Sequence, residues 1–426
     1  MATPRKILLV AATTGYQVEQ FRQAASRMNV ELTLASDRCH QLEDPWGDQA
    51  VPVRFDDAKG ALAAVRARGP FQGIIASGDR AAVLAAELAD RLDLRFHSPR
   101  AAARCNDKFA FRQTMESAGL PVPWFRRERL TLDPPQVEKL AGEVACPCVL
   151  KPLMLSASRG VIRVNDAAEF IAAYGRIRRL LETQELRALR DPNAEWLMIE
   201  GYIAGREYAL EGWIAMGVLQ RFALFDKPDP LEGPYFEESL YVAPSRLDWD
   251  RRALIWDMVE AAARAAGLGP GPIHAEIRMA EEASSPAYVL EVAARPIGGL
   301  CARALRFEYR GERIGLEELL LRGALGENLA FWEREKAAAG VMMIPISQSG
   351  ILADVEGVAE AAAVAGIEGV EITAKPGEPL QALPEGSSYL GFIFARARTP
   401  EQVEAALRAA HSRLRVHWRE TLSVVS

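Results

Sequence analysis

The chain has 426 residues, room for three domains at about 150 residues each. Its composition, 49% hydrophobic and 25% charged, is that of a globular protein with several cores. A net charge of −6 argues against nucleic-acid binding, which needs a basic surplus, and no run approaches the ~18 apolar residues of a membrane span. The five cysteines, Cys39, Cys105, Cys146, Cys148 and Cys301, form no CxxC pair, and their odd number favours a reduced, cytoplasmic setting. Cys146-Pro147-Cys148 lacks the further ligands of a zinc site, so buried thiols are expected there.

Arg5 and Lys6 before the apolar run 7–12 resemble a stunted signal peptide. The run is short and leads through Thr13-Thr14-Gly15 into an amphipathic helix, so a buried parallel strand fits better. Strands over 6–11, 31–35 and 73–76 alternate with helices over 18–28, 58–68 and 80–92, which predicts a small doubly wound parallel sheet. It lacks G-x-G-x-x-G, so a nicotinamide dehydrogenase is remote. Asp79 follows a strand end where open α/β sheets bind ligands; reading it as the cap of the next helix is at least as good. Asn106-Asp107-Lys108 opens a helix to Ala118, and 119–123 is a linker. A helix over 135–143, strands over 148–151 and 160–164, and an arginine-faced helix over 167–189 follow. Strands over 196–200, 207–214, 218–225 and 238–242 begin an antiparallel section, followed by a helix over 249–266 and another over 315–321. Beyond 331, strands over 341–346, 369–373 and 391–397 and helices over 358–364 and 400–413 predict an appended α+β unit.

Two glutamates are the most informative residues. Strands 273–279 and 288–295 flank a polar turn at 281–286, and folding that hairpin about its middle sets Glu276 opposite Glu291. Alternation puts His274 with Glu276, and Glu291 with Ala293 and Arg295. Opposed residues have Cβ atoms roughly 5 Å apart, so like charges there repel unless a hard cation or a proton intervenes. Carboxylate pair, divalent cation and arginine together suggest phosphate chemistry, although a solvated face with Arg295 as salt-bridge partner reads equally well from the hairpin alone.

Further pieces tip the balance. Lys151 ends the apolar strand 147–152, suited to placing a charge over phosphates. Ser156-Ala157-Ser158-Arg159-Gly160 is a small-residue loop whose backbone N–H groups can approach phosphate oxygens. The apolar strand 196–200 suits an adenine held by backbone groups, with Glu200 accepting from its polar edge. Glu207, after a tight turn, is placed to accept from ribose hydroxyls. Each piece alone is more often structural; their order and spacing count.

In that order the chain resembles the ATP-grasp superfamily, over nearly its whole length. The resemblance rests on Asn106-Asp107-Lys108, Val149-Leu150-Lys151-Pro152, Arg159-Gly160-Val161, the stretch from Ile199 to Glu207, His274-Ala275-Glu276 and Leu290 to Arg295. Ala293 stands where many members carry a metal-binding Asn, and the loop is serine-rich rather than glycine-rich. These departures, with His274, the loop 225–238 and the C-terminal unit, look like the L-amino-acid ligase, or dipeptide synthetase, branch. The resemblance implies an ATP-grasp fold of α/β and α+β character. Its parts would be a Rossmann-like domain over 1–104, a lid over 105–190, a larger metal-bearing subdomain over 191–330 and the C-terminal unit over 331–426.

It further implies that Lys108 and Lys151 bind phosphates, with Ser156, Ser158, Arg159 and Gly160 in the loop, and that Glu200, Tyr202, Ile203 and Glu207 hold adenosine. Glu276 and Glu291 bind Mg²⁺, with Mn²⁺ as a substitute. Arg295 steadies an acyl phosphate, and His274, Glu238, Gly298 and Gly299 lie near the substrates. The implied activity is an ATP-dependent carboxylate–amine ligase acting on small molecules, amino acids foremost. Alternatives are a ligase for a non-amino-acid carboxylate or amine, and a non-catalytic ATP-binding protein. The oligomeric state stays open, a homodimer included.

Overall fold

A computed structural model describes residues 4–12, 16–37, 50–280, 282 and 285–419. Thr13 to Gly15, Cys39, and Glu281, Ala283 and Ser284 of the expected hairpin turn lie outside the described residues. The front of the chain is a four-stranded parallel sheet, in the order Ala50–Pro52, Val30–Ser36, Arg5–Ala11, Gly73–Ser77. Ile7 to Ala11 are fully buried, as a central parallel strand covered on both faces requires. Gly78, at φ +105°, caps the helix Asp79–Leu92, so Asp79 is not the cap and its carboxylate is available elsewhere. The sequence reading missed the helix Pro99–Asn106, although Ser98 accepts from Ala101 N–H and Pro99 opens it, both common start signals.

The next unit is an antiparallel sheet in the order Phe125–Arg129, Trp196–Gly201, Cys148–Pro152, Ile162–Val164. Its core includes Val137 and Leu140 from the helix Pro134–Glu143 and Phe170 and Ile177 from Ala167–Leu181. Phe125–Arg129 went unread because an edge strand of Phe-Arg-Arg-Glu-Arg has no apolar alternation. The helix expected over 167–189 breaks into Ala167–Leu181 and Gln184–Ala188. Thr183 takes extended backbone at the break, in keeping with threonine's preference for caps.

The largest sheet is antiparallel, with eight strands in the order Ala287–Ala293, Gly271–Met279, Arg206–Ala215, Val218–Asp226, Leu240–Ala243, Ala338–Ile344, Gly391–Ala397, Ile367–Ile372. One face carries the helix Trp249–Ala266 through Ile255 and Val259; the other carries Leu316–Ala324 through Leu316 and Leu320. The last three strands come from beyond residue 331, so the sheet crosses the boundary expected there. Val242 pairs with Gly340, and Leu240 and Val242 share a core with Val403 and Leu407. Register between distant segments is invisible to local periodicity, which is why the C-terminal unit reads as separate. Two of its strands, Gly350–Glu356 and Arg415–Arg419, are charged and went unread. No helix among the described residues is long and apolar enough to cross a membrane.

A chain ending at residue 330 is therefore expected to lose the partner of Leu240–Ala243 and to expose the core beneath it. It should be recovered insoluble or without a cooperative thermal transition. A soluble truncation with a sharp transition by circular dichroism would show that the C-terminal unit is dispensable for folding.

Candidate active site

Gly271–Met279 and Ala287–Ala293 pair so that Glu276 and Glu291 are opposed. The register slips by one residue just beyond, where Ile277 pairs with Val289 and Leu290 bulges out of the ladder. Arg112, from the helix Lys108–Ser117, covers that bulge: its Nη1 donates to the Val289 carbonyl at 2.9 Å and its Nη2 to that of Leu290 at 3.3 Å. The same guanidinium pairs with Glu200 at 2.9 Å, and Lys151 holds the other Glu200 oxygen. Burial opposes charge on Glu200, but Arg112 and Lys151 outweigh it and hold the carboxyl below the usual range. Both Glu200 oxygens are thus engaged within the protein, so the adenine acceptor role read from sequence does not fit its side chain. The sequence reading missed Arg112, since an arginine in an amphipathic helix looks solvent-facing; here it is 1% exposed.

One cleft gathers Lys108, Lys151, Ser156, Ser158, Glu200, Tyr202, Ile203, Glu207, Glu238, His274, Glu276, Glu291, Arg295, Gly298 and Gly299. Arg159 and Gly160 do not line it. Arg159 donates to the Glu385 carbonyl at 2.7 Å and pairs with Glu185 at 3.0 Å, while Gly160 N–H donates to Pro384 at 2.8 Å. At φ +73°, with a Cβ 2.8 Å from the Pro152 ring, position 160 tolerates only glycine. Ala157 and Ser158 also adopt left-handed backbone, at φ +53° and +55°, a cost that non-glycine residues carry mostly at functional loops.

At one end of the cleft lie Val149, Met198, Tyr202, Ile203, Leu231 and Phe236. The Tyr202 ring sits between the guanidinium groups of Arg163, 4.0 Å from its centroid, and Arg278, at 5.2 Å. In the middle, Lys227 Nζ lies 2.6 Å from Glu207 and 3.2 Å from Glu276, and also bonds Glu238. Burial works against its charge, but Glu207, Glu238 and Glu276 hold it well above the ordinary lysine value. The sequence reading had Lys227 only within a loop. Glu207, Glu238 and Glu276 bring one oxygen each within 4.8 Å of one another, a metal-capable set that differs from the expected pair by omitting Glu291. Burial raises Glu276, with Lys227 lowering it and the charge of Glu291 raising it. Oxygen-only donors in carboxylate excess fit a hard divalent cation.

At the far end, Arg295 Nε donates to Asp79 Oδ1 at 2.7 Å, and its Nη1 to the Pro296 carbonyl at 2.9 Å. Burial opposes ionisation of Asp79, and Arg295 outweighs it, so Asp79 stays charged. Gln17 and Ser77 of the front sheet fix the next turn: Gln17 Nε2 donates to the Ile297 carbonyl at 2.6 Å, and Ser77 Oγ donates to Gln17 Oε1 at 2.9 Å. His274 Nδ1 lies 2.6 Å from Glu211, whose carboxyl is raised by burial, and its Nε2 lies 3.8 Å from Glu276. Tyr241, Cys301, Met343 and Tyr389 close this end. Burial pushes the Cys301 thiol far up, which favours the neutral thiol over the thiolate.

Residues 144–304 match the family model of an ATP-grasp domain, and residues 342–419 match that of the L-amino acid ligase C-terminal domain 2. An L-amino acid ligase from Bacillus licheniformis superposes with a TM-score of 0.80 at 25% identity, over 98% of this chain and 100% of that one. Alanine–anticapsin ligase from Bacillus subtilis (strain 168) is 26% identical over 208 residues, 46% of this chain and 42% of that protein. The biotin carboxylase domain of the Hydrogenobacter thermophilus 2-oxoglutarate carboxylase, solved with MgADP and bicarbonate, shares the fold with a TM-score of 0.67 at 16% identity, over 96% and 90%. The chain is an ATP-grasp protein. Within that superfamily it belongs with the L-amino acid ligases, enzymes that join a carboxylate to an amine.

Arg112→Ala would leave Glu200 buried with half its compensation, an expected loss of roughly 3–5 kcal/mol in chemical denaturation. Glu200 is held below its unfolded value, so the pair's contribution is complete at neutral pH and fades as pH falls through that depressed value. The gap between wild type and Arg112→Ala should therefore narrow below about pH 4. A gap independent of pH would assign Arg112 to packing alone.

Proposed function

We propose that the protein forms an amide bond, a dipeptide foremost, by activating a carboxylate with ATP as an acyl phosphate and releasing ADP and phosphate. The observation that carries this reading is the set of groups gathered in one cleft. It joins an apolar, aromatic end suited to a base with Lys108 and Lys151, with Glu276 and Glu291, and with Arg295, His274, Gly298 and Gly299.

The adenine fits among Val149, Met198, Tyr202 and Ile203, bound by strand backbone rather than by the Glu200 carboxylate. Glu207 would accept from the ribose, and the loop at Ser156 and Ser158 would offer N–H groups to phosphate oxygens. Lys108 and Lys151 neutralise phosphate charge, while Lys227 holds Glu207, Glu238 and Glu276 in place. Phosphoryl transfer depends mainly on such positioning and charge neutralisation. Glu276 and Glu291 would hold Mg²⁺, or Mn²⁺, as the Hydrogenobacter neighbour holds MgADP; when bound, the ion neutralises the phosphates.

The carboxylate of the first substrate attacks the γ-phosphate and ADP leaves. Arg295, pinned by Asp79, keeps part of its planar fork for that carboxylate and for the acyl phosphate, a geometry lysine does not copy. An amine then attacks the acyl carbon and phosphate is expelled. Glu238 is suited to a substrate ammonium group, and Gly298 and Gly299 leave room beside Arg295. Similarity to an L-amino acid ligase and to alanine–anticapsin ligase supports amino acids as the substrate class.

Glu291→Ala and Arg295→Ala are expected to fold normally and to lose ATP turnover by ~100-fold or more. Near-normal turnover in either would sink the assignment. The substrate class is tested by phosphate release from Mg-ATP across single amino acids and pairs, with mass spectrometry of products. Release that needs a pair and yields a dipeptide mass is expected; release with one amino acid and another amine would move the acceptor. No release with any pair, despite tight ATP binding, would remove amino acids as substrates.

A further inference from the structure

The phosphate loop is tied to a part of the chain remote in sequence. Gly160 N–H and the Arg159 side chain donate to the carbonyls of Pro384 and Glu385, at 2.8 and 2.7 Å. From the lid helix Ala167–Leu181, Arg176 makes a two-pronged pair with Glu385, Nε to Oε1 at 2.5 Å and Nη2 to Oε2 at 2.8 Å. Its third nitrogen donates to the Tyr235 hydroxyl. Tyr235 belongs to the loop between Lys227 and Glu238, and the 381–389 loop ends at Tyr389, which walls the far end of the cleft. Arg176 thus joins the lid to two loops that line the cleft, one bearing Leu231, Phe236 and Glu238 and the other Tyr389. Ala157 and Ser158 share a small cavity with Glu238, Leu383 and Tyr389, so lid and C-terminal loop face each other directly across the phosphate end.

A lone exposed ion pair contributes little, but Arg176 and Glu385 have the bidentate geometry that gives such a pair orientation. They are only partly exposed, at 38% and 31% of their side chains. The Gly160 N–H and the Arg159 side chain reach the carbonyls of Pro384 and Glu385 itself, so the contact holds the loop and not merely the helix. Within the ligase reading above, an acyl phosphate must wait for its amine in a site that water does not enter. A lid fastened only at its own hinge would open independently of the acceptor pocket. Here the fastening runs through the loop that forms that pocket's wall.

We propose that Arg176 and Glu385 are positioning residues: their pair latches the phosphate loop to the C-terminal unit and couples lid closure to the substrate pocket, so that ATP is spent on amide rather than on water. The proposal rests on the ligase reading for its chemistry, but the closure itself is measurable without turnover.

The test compares wild type with Arg176→Ala, Glu385→Ala and the double variant, using Glu356→Ala, an exposed ion-pair residue of the same unit, as control. Hydrogen exchange of the 153–164 segment, with a non-hydrolysable ATP analogue and Mg²⁺, should rise about fivefold in each single variant and no further in the double, because both remove one interaction. The control should match wild type. In turnover with the best substrate pair, phosphate released per amide formed should rise above wild type in the same three variants. Unchanged exchange, additive effects in the double variant, or an unchanged phosphate-to-amide ratio would each overturn the latch. If wild type makes no amide while exchange responds as expected, the ligase reading fails and the closure contact stands.

Discussion

The guanidinium of Arg112 is the constraint on which the site depends. It is 1% exposed and bonds three groups on two distant segments at once: Glu200 at the end of a lid strand, and the Val289 and Leu290 carbonyls beside Glu291. The carbonyls belong to a sheet-edge strand at its bulge, where no neighbouring strand supplies partners. Without the bulge, the one-residue slip that lets Glu291 oppose Glu276 while Val289 faces Ile277 would not exist. A buried ion pair is weak evidence for net stability, yet removing one partner is costly. Its effect here is specific: it fixes the lid strand, the hairpin and Lys151 relative to one another.

The cleft repeats that device along its length. Each chemically useful charge is held by a residue from a different element, so none can relax alone. Asp79 comes from the front domain and Arg295 from the end of the hairpin; Glu211 and His274 lie on adjacent strands; Lys227 comes from a loop and gathers Glu207, Glu238 and Glu276. Burial works against charge at most of these groups, and opposite charges decide the outcome. Asp79 and Glu200 are held low and stay ionised, whereas burial pushes Glu238 and Glu276 up, with the charge of Glu276 adding to it at Glu238 and that of Glu291 at Glu276. Three carboxylates around the one ammonium of Lys227 resist full ionisation, and a proton or a divalent cation is what balances such a cluster.

Much of this was legible from local chemistry. Strand alternation alone opposes Glu276 to Glu291 and puts His274 beside the pair, and most strands and helices lie where periodicity sets them. The failures share a cause. Leu290 bulges because Arg112 arrives from a distant helix. Glu200 is spent on Arg112 and Lys151 rather than free for a ligand, and Arg159 turns out of the cleft because Glu185 and Glu385 await it. Lys227 is one charged residue in a polar loop until three glutamates converge on it. Each depends on a contact between segments far apart in the chain, which spacing and composition do not encode. Charged edge strands such as Phe125–Arg129 fail for the complementary reason: with one side open to water they need no apolar face.

The C-terminal unit shows how far such contacts reach. Its strands extend the sheet that carries the glutamates, so it cannot shift without disturbing Leu240–Ala243, two residues beyond Glu238. Through the same strands it places Met343 and Tyr389 at the end of the cleft, and through the 381–389 loop it touches the lid. The nucleotide end is built from the lid and the adjacent sheet, whereas the far end needs all parts of the chain: Asp79 from the front, Arg295 and Gly299 from the hairpin's exit, Tyr389 from the C-terminal unit. The matched ATP-grasp domain, 144–304, carries Lys151, Glu276, Glu291 and Arg295, whereas Lys108 and Asp79 come from before it and Met343 and Tyr389 from after it. Under the ligase reading proposed above, Met343 and Tyr389, borne by the C-terminal unit, are the positions where substitution would alter the far end of the cleft while leaving the lysines and glutamates in place.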